Sequence, residues 1–329
     1  MAGAGCLKYV IMLADSGASL ASAAGLPASL ANRTTALLSI VTCLLLPLSF
    51  LDSCSQLKFT SFFGLAGVMY YMAAIVVRYA QGAYSPGGAF HSLISADMRP
   101  SFDVSGGTIW SPRALVLVSM LTAAFICHSN APKFYSELKD RSIPRFSLLS
   151  GIGFGFAALT YVVGLCCSFL TFGGASSGFI FNNYAAVDGL FVVARVITSF
   201  VILCTYPLMM VALRDGSLDL LSPALAPGGV PSPRARRWVT FGLVALLTGL
   251  GLVIKDVGLI VSVPGAIFGS AVVYVFPGLV FLRATQAASG VETASSLRLR
   301  MERWACRALV VMGLFCGTLG TGSALGFLT

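Results

Sequence analysis

The chain has 329 residues, of which 57% are hydrophobic and only 10% charged, with a mean hydropathy of +0.89 and a formal net charge of +9. Soluble domains carry about a quarter charged residues, so this composition excludes a soluble globular fold and points to an all-α polytopic membrane protein. Two histidines are too few for a catalytic metal centre, and the nine cysteines, mostly inside apolar runs without metal-ligand spacing, read as small core residues.

From the N-terminus, residues 4–15 are apolar apart from Lys8 and the closing Asp15 and read as the end of a helix; they lack the basic start and apolar core of a signal peptide. Ala18 to Leu30 is rich in small residues and contains Pro27, which predicts a loop. Asn32-Arg33-Thr34 is a glycosylation sequon, with Asn32 the acceptor if this loop faces outside. Spans are then expected at about 36–51, 59–80, 113–139 with a break, 146–172, 186–213, 238–254, 257–282 and 305–328. Residues 1–329 would thus form one transmembrane domain of eight spans and a partial one, most spans near the ~20 residues that cross about 30 Å of hydrocarbon.

Pro112 to Arg145 is the stretch around which the rest is organised. Ala114 to Cys127 is almost wholly apolar; His128, Ser129 and Asn130 follow, and then Pro132, which has no backbone N–H. One reading is a span that ends at Ile126 with a polar exit loop. The other is a helix broken within the bilayer, whose unpaired backbone groups must face protein or a water-filled cavity. Secondary transporters use such breaks to hold substrate.

Lysines and arginines set the orientation. If the loop with Lys58 is cytoplasmic, the same side receives fourteen basic residues, including Lys133, Lys139, Arg141, Arg145, Arg214, Arg234, Arg236 and Arg237. The other side holds five: Arg33, Arg78, Arg99, Arg113 and Lys255. The net positive charge therefore reflects orientation against anionic lipid headgroups and gives no argument for nucleic acid. Glycine runs such as Gly151-Ile152-Gly153-Phe154-Gly155 suggest close helix packing rather than a phosphate loop, because no strand precedes them.

The run from Cys127 to Ser142, CHSNAPKFYSELKDRS, resembles the sixth-helix signature of the amino acid/auxin permease family, its trypanosomatid branch most of all. Leu46 to Leu51 with Leu57 to Ser61, Thr205-Tyr206-Pro207 leading to Leu213-Arg214, and Gly265-Ala266 with Phe276-Pro277-Gly278 resemble three further family blocks in the same order. The resemblance implies a LeuT-like inverted-repeat bundle that moves L-amino acids by alternating access. It also implies that the chain is N-terminally truncated, its first residues matching the end of the family's third helix. By the same resemblance, the backbone of Phe125, Ile126, Cys127 and His128 would line the substrate pocket, with Ser129 and Asn130 nearby.

His128 is open to a part in proton coupling or to a hydrogen bond that steadies the break. Thr205 matches a sodium-coordinating position, while a membrane threonine commonly bonds its own helix one turn back. No cofactor is expected beyond a coupling ion, H+ or Na+. Arg195 lies within an apolar run, with Asp188, seven residues earlier on the same helical face, as one possible partner; a gating or packing ion pair on the outer side is expected over direct substrate contact. The spans hold no His/Asp/Glu cluster for acid–base or metal chemistry, which argues against an enzyme. A truncated, non-transporting homologue acting as sensor or subunit, or without activity, is the alternative. Both the plasma membrane and an organellar membrane fit this integral, multi-pass chain.

Overall fold

A computed structural model describes residues 1–51, 57–102, 113–127, 131–225, 232–288 and 297–326, and among these the regular elements are helices. The helices are α1 (Ala2–Ala23), α2 (Arg33–Leu48), α3 (Leu57–Ala80), α4 (Arg113–Ala124), α5 (Ala131–Glu137), α6 (Ile143–Phe172), α7 (Gly189–Leu225), α8 (Pro233–Val253), α9 (257–288) and α10 (Leu297–Ala324). Six of them, α3 and α6 to α10, are long and apolar enough to cross a membrane. With its 37 residues, α7 is about 55 Å long, well beyond the hydrocarbon thickness, so its charged end projects from it.

Several boundaries differ from expectation. The loop expected at Ala18 to Leu30 begins only after Ala23, because small residues and serines continue a helix when no proline intervenes before Pro27. The helix expected at 36–51 lies three residues earlier, at Arg33–Leu48, and the stretch expected at 113–139 with a break holds Arg113–Ala124 and Ala131–Glu137. Gly151, Gly153 and Gly155 meet no neighbour within 4 Å among the described residues. They lie beside the exposed Leu148 and Ile152 of α6, so among the described residues no close helix contact forms at this run.

Two compact units divide the chain, residues 1–103 with 159–257 and residues 104–158 with 258–329. In the first, α1 packs on α2, α7 and α8, and α3 packs on α7. Its core includes Cys6, Ile11, Ala14, Leu37, Tyr206 and Met210. Gly64 and Gly67 of α3 face Val201 and Ile197 of α7, so that two backbones approach where lipid supplies no hydrophobic drive. The turn after α6 closes on the preceding loop: Ser101 N–H donates to the Phe172 carbonyl at 3.1 Å, and Gly174 N–H donates to the Ser101 carbonyl at 2.7 Å. Gly173, between them, has φ +60° and touches the Ser101 backbone, two conditions that a side chain would not meet.

In the second unit, α10 and α4 pack on each other and on α9. Pro264 removes one hydrogen-bond rung from α9, and wide π turns at Gly265–Gly269 and Ala271–Val275 follow directly. α4 rests on the first of these turns. A methyl group on Gly265 would overlap the Ser119 carbonyl of α4, and one on Gly269 would strike Thr122.

Candidate functional site

The helix containing Phe125 does not run through. Phe125 N–H still donates to the Leu121 carbonyl at 3.0 Å, but Ile126 N–H turns to Ala123, three residues back, at 3.5 Å. The Thr122 carbonyl thereby loses its α-helical donor. Ile126 and Cys127 have left the helix, and α5 begins at Ala131. His128, Ser129 and Asn130 lie outside the described residues. The side chains of Phe125, Ile126 and Cys127 are all half-buried. Local packing explains why the stop falls here: Ser119 and Thr122 are buried against the glycine-rich π turn of α9, Ile126 approaches Gly269, and Phe125 meets the Phe154 ring at 5.9 Å between centroids.

The ion pair expected between Asp188 and Arg195 is replaced by another. Asp188 is fully buried and takes Arg78 Nη2 at 2.6 Å and Nε at 2.9 Å in a bidentate pair. Tyr84 donates its hydroxyl to the same carboxylate at 2.8 Å, and Leu190 N–H donates at 3.1 Å, which makes Asp188 the N-cap of α7. Burial first, and then the carboxylate, holds the Tyr84 hydroxyl well above the ordinary tyrosine range. Arg195, 1% exposed, is spent on backbone: its Nη2 donates to the carbonyls of Phe181 and Tyr184, both at 2.7 Å, and Nη1 to Ala185 at 3.3 Å. A guanidinium on a long stem reaches back up its helix to the carbonyls of the preceding turn, which seven residues of sequence spacing does not foresee. Phe172, Tyr184 and Phe191 enclose the cluster, Tyr184 stacking on Phe191.

Thr205 in α7 donates its hydroxyl to the Val201 carbonyl at 2.9 Å, one turn back. Asn32 caps α2 by accepting Thr34 N–H at 3.1 Å, and its residue is exposed. The structure also joins groups that sequence reasoning did not. Arg33 pairs with Asp15 at 2.7 Å and donates to the Gly251 carbonyl at 3.0 Å, while Asn182 donates to the other Asp15 oxygen at 2.9 Å. The available signals were weak: Arg78 ends one helix, Asp188 precedes another, and both lie on the side with few basic residues.

The family described as "Transmembrane amino acid transporter protein" matches residues 4–323. The "Putative sodium-coupled neutral amino acid transporter 11" of Danio rerio is 26% identical over 214 residues, which cover 63% of this chain and 43% of that relative. Its Homo sapiens namesake is 24% identical over 175 residues, covering 53% and 42%. "Solute carrier family 38 member 8" of Homo sapiens is 27% identical over 300 residues, covering 89% and 64%. The chain spans less than two thirds of the length of each of these curated relatives. The match along nearly all of the chain, together with six helices fit to cross a bilayer, makes this an integral multi-pass membrane protein that belongs to the transmembrane amino acid transporter family.

Proposed function

We propose that the chain forms the membrane core of a carrier that moves neutral L-amino acids by alternating access, with α4 and α5 as the two halves of its broken substrate-binding helix. The observation that carries this reading is a helix that stops at Ala124 and resumes at Ala131 in a chain of this family. The reading includes a LeuT-like inverted repeat and residues 1–329 as one transport domain. Substrate would meet the backbone of Phe125, Ile126, Cys127 and His128, with Ser129 and Asn130 beside it.

Sodium is the coupling ion favoured by the names of the relatives, and Thr205 is proposed as one of its oxygen ligands. Its back-bond to Val201 does not oppose this role. The hydroxyl gives its hydrogen to the carbonyl and leaves lone pairs on the side away from the helix, where a hard cation takes them. Arg195 and the Asp188–Arg78 pair would stiffen the outer turn before α7 rather than touch substrate.

The test is uptake of radiolabelled neutral L-amino acids into cells expressing the protein, with and without sodium and at two pH values. Saturable, stereoselective, sodium-stimulated uptake is expected. Uptake equal to that of untransfected cells for every amino acid tried would contradict the proposal.

A further inference from the structure

Along α10 runs a groove of about 440 Å³ lined by Trp304, Arg307, Ala308, Val311, Met312 and Phe315, all of them exposed. These positions recur every three or four residues and so share one face of the helix. Ala308, a single methyl, leaves the gap between Trp304 one turn before it and Met312 one turn after. The opposite face is the one that packs. Gly278 of α9 lies against Val310 and the Cys306 carbonyl, Gly313 against Tyr274 and Val275, and Gly317 against the Ala266 carbonyl. Arg303, between the two faces, is committed to Thr285 of α9, its Nη2 donating to the carbonyl at 2.7 Å and its Nε to the hydroxyl at 3.3 Å. These contacts fix the rotation of α10 and turn the groove outward.

Two charges stand at the head of the groove. Arg307 lies over the Trp304 ring, 5.1 Å from its centroid, and Arg300, seven residues earlier on the same stripe, is exposed. Neither guanidinium has a hydrogen-bond acceptor or a carboxylate partner among the described residues. Glu302, two positions on from Arg300, lies round the helix on the other side. Both arginines belong to the basic-rich side of the chain, and the cytoplasmic leaflet that such a side faces is the anionic one. From Trp304 to Phe315 the stripe descends about 16 Å at 1.5 Å per residue, close to the ~15 Å of hydrocarbon that one leaflet supplies. We propose that this groove holds one phospholipid with an anionic headgroup, its phosphate between Arg300 and Arg307 and one acyl chain along Ala308, Val311 and Phe315. The apolar strip accepts the chain of any lipid. The two uncompensated guanidinium groups select the anionic headgroup, because a zwitterionic one brings a cation of its own against them. The site uses no residue assigned above to substrate or ion, so it stands apart from the transport reading.

The experiment uses Trp304 as its own reporter. The double substitution W110F/W238F leaves it as the one tryptophan of the chain, and lipids with bromine on their acyl chains quench its fluorescence on contact. In nanodiscs of the purified protein, exchange of brominated phosphatidylglycerol against unlabelled phosphatidylcholine, and the reverse, gives the ratio of the two affinities for the groove. The proposal expects at least a fivefold preference for phosphatidylglycerol. It should fall below twofold in R300Q/R307Q and persist in R141Q, which removes an exposed charge from the same side away from the groove. A308F, which fills the gap below Trp304, should weaken quenching by brominated phosphatidylglycerol at least twofold. All of these changes lie at exposed positions and should leave the melting temperature within 2 °C of the parent. Equal affinity for the two lipids overturns the proposal, as does a preference that R300Q/R307Q retains. A loss in R141Q as large as in R300Q/R307Q also overturns it, since diffuse surface charge would then suffice. Quenching by neither lipid in a protein that light scattering shows to be a dimer gives the face to a second copy and overturns it too.

Discussion

Around Asp188 the first unit closes its polar account: a buried carboxylate meets a forked guanidinium, a phenol and a backbone N–H, and a second buried guanidinium, Arg195, is shared among three carbonyls. At the end of α4 the second unit does the reverse, turning Ile126 N–H away from Thr122 in a half-buried stretch that a longer helix would have covered. Backbone polarity is costly to leave open away from water. One region is therefore closed on itself, and in the proposed function the other is completed by substrate. The difference teaches where to look for stability and where to look for ligand.

Mutations sharpen this contrast, and the largest effect belongs to the closed region. Asp188→Ala leaves the half-buried Arg78 with Gln81 alone as hydrogen-bond partner and removes the N-cap of α7, at about 3 kcal/mol; the thermal midpoint of the detergent-solubilised protein should fall steeply or folded protein should be lost. Arg195→Met deprives three carbonyls of their donor at about 2–3 kcal/mol, since bonds to a charged group are the stronger kind, and Arg195→Lys should recover only part because an ammonium lacks the fork. Both are read by the same melting experiment.

Tyr84→Phe should cost about 1–2 kcal/mol and also change the pH response. The folded-state pKa of Tyr84 is raised above the unfolded value of about 10. Its contribution is therefore complete below pH ~10 and is lost as pH rises beyond it. Wild type should lose stability on alkaline titration more steeply than Tyr84→Phe; equal slopes would count against the buried hydroxyl. Thr205→Val should be the mildest in stability, about 0.5 kcal/mol or less, yet should abolish sodium stimulation of uptake if its oxygen serves the ion. Unchanged sodium dependence would remove Thr205 from the coupling site.

Much of the architecture was legible because lipid demands long apolar runs, and such runs are visible without tertiary information. The six long helices α3 and α6 to α10 correspond to runs that hydropathy alone marks out. What was not legible depends on reach and approach. Arg195 and Asp188 share a helical face by spacing, but the guanidinium extends toward Phe181 and Tyr184 while Arg78 arrives from another helix, 110 positions away. The meeting of Asp15, Arg33 and Asn182 likewise joins positions up to 167 apart, which periodicity does not encode. The glycine run 151–155 suggested close packing, and no described residue meets it, because composition does not say which face of a helix meets another helix.

The central claim, that the chain is left open at Phe125 to Cys127 to hold an amino acid, has a native reporter in the half-buried thiol of Cys127. In a variant retaining only Cys127, the rate of alkylation by a small maleimide is measured with and without saturating neutral L-amino acid, against a variant retaining only the exposed Cys43. The account predicts at least a fivefold slowing at Cys127 with the L-isomer, none with the D-isomer, and no change at Cys43. A Cys127 rate that is the same with and without every neutral L-amino acid tried would contradict it.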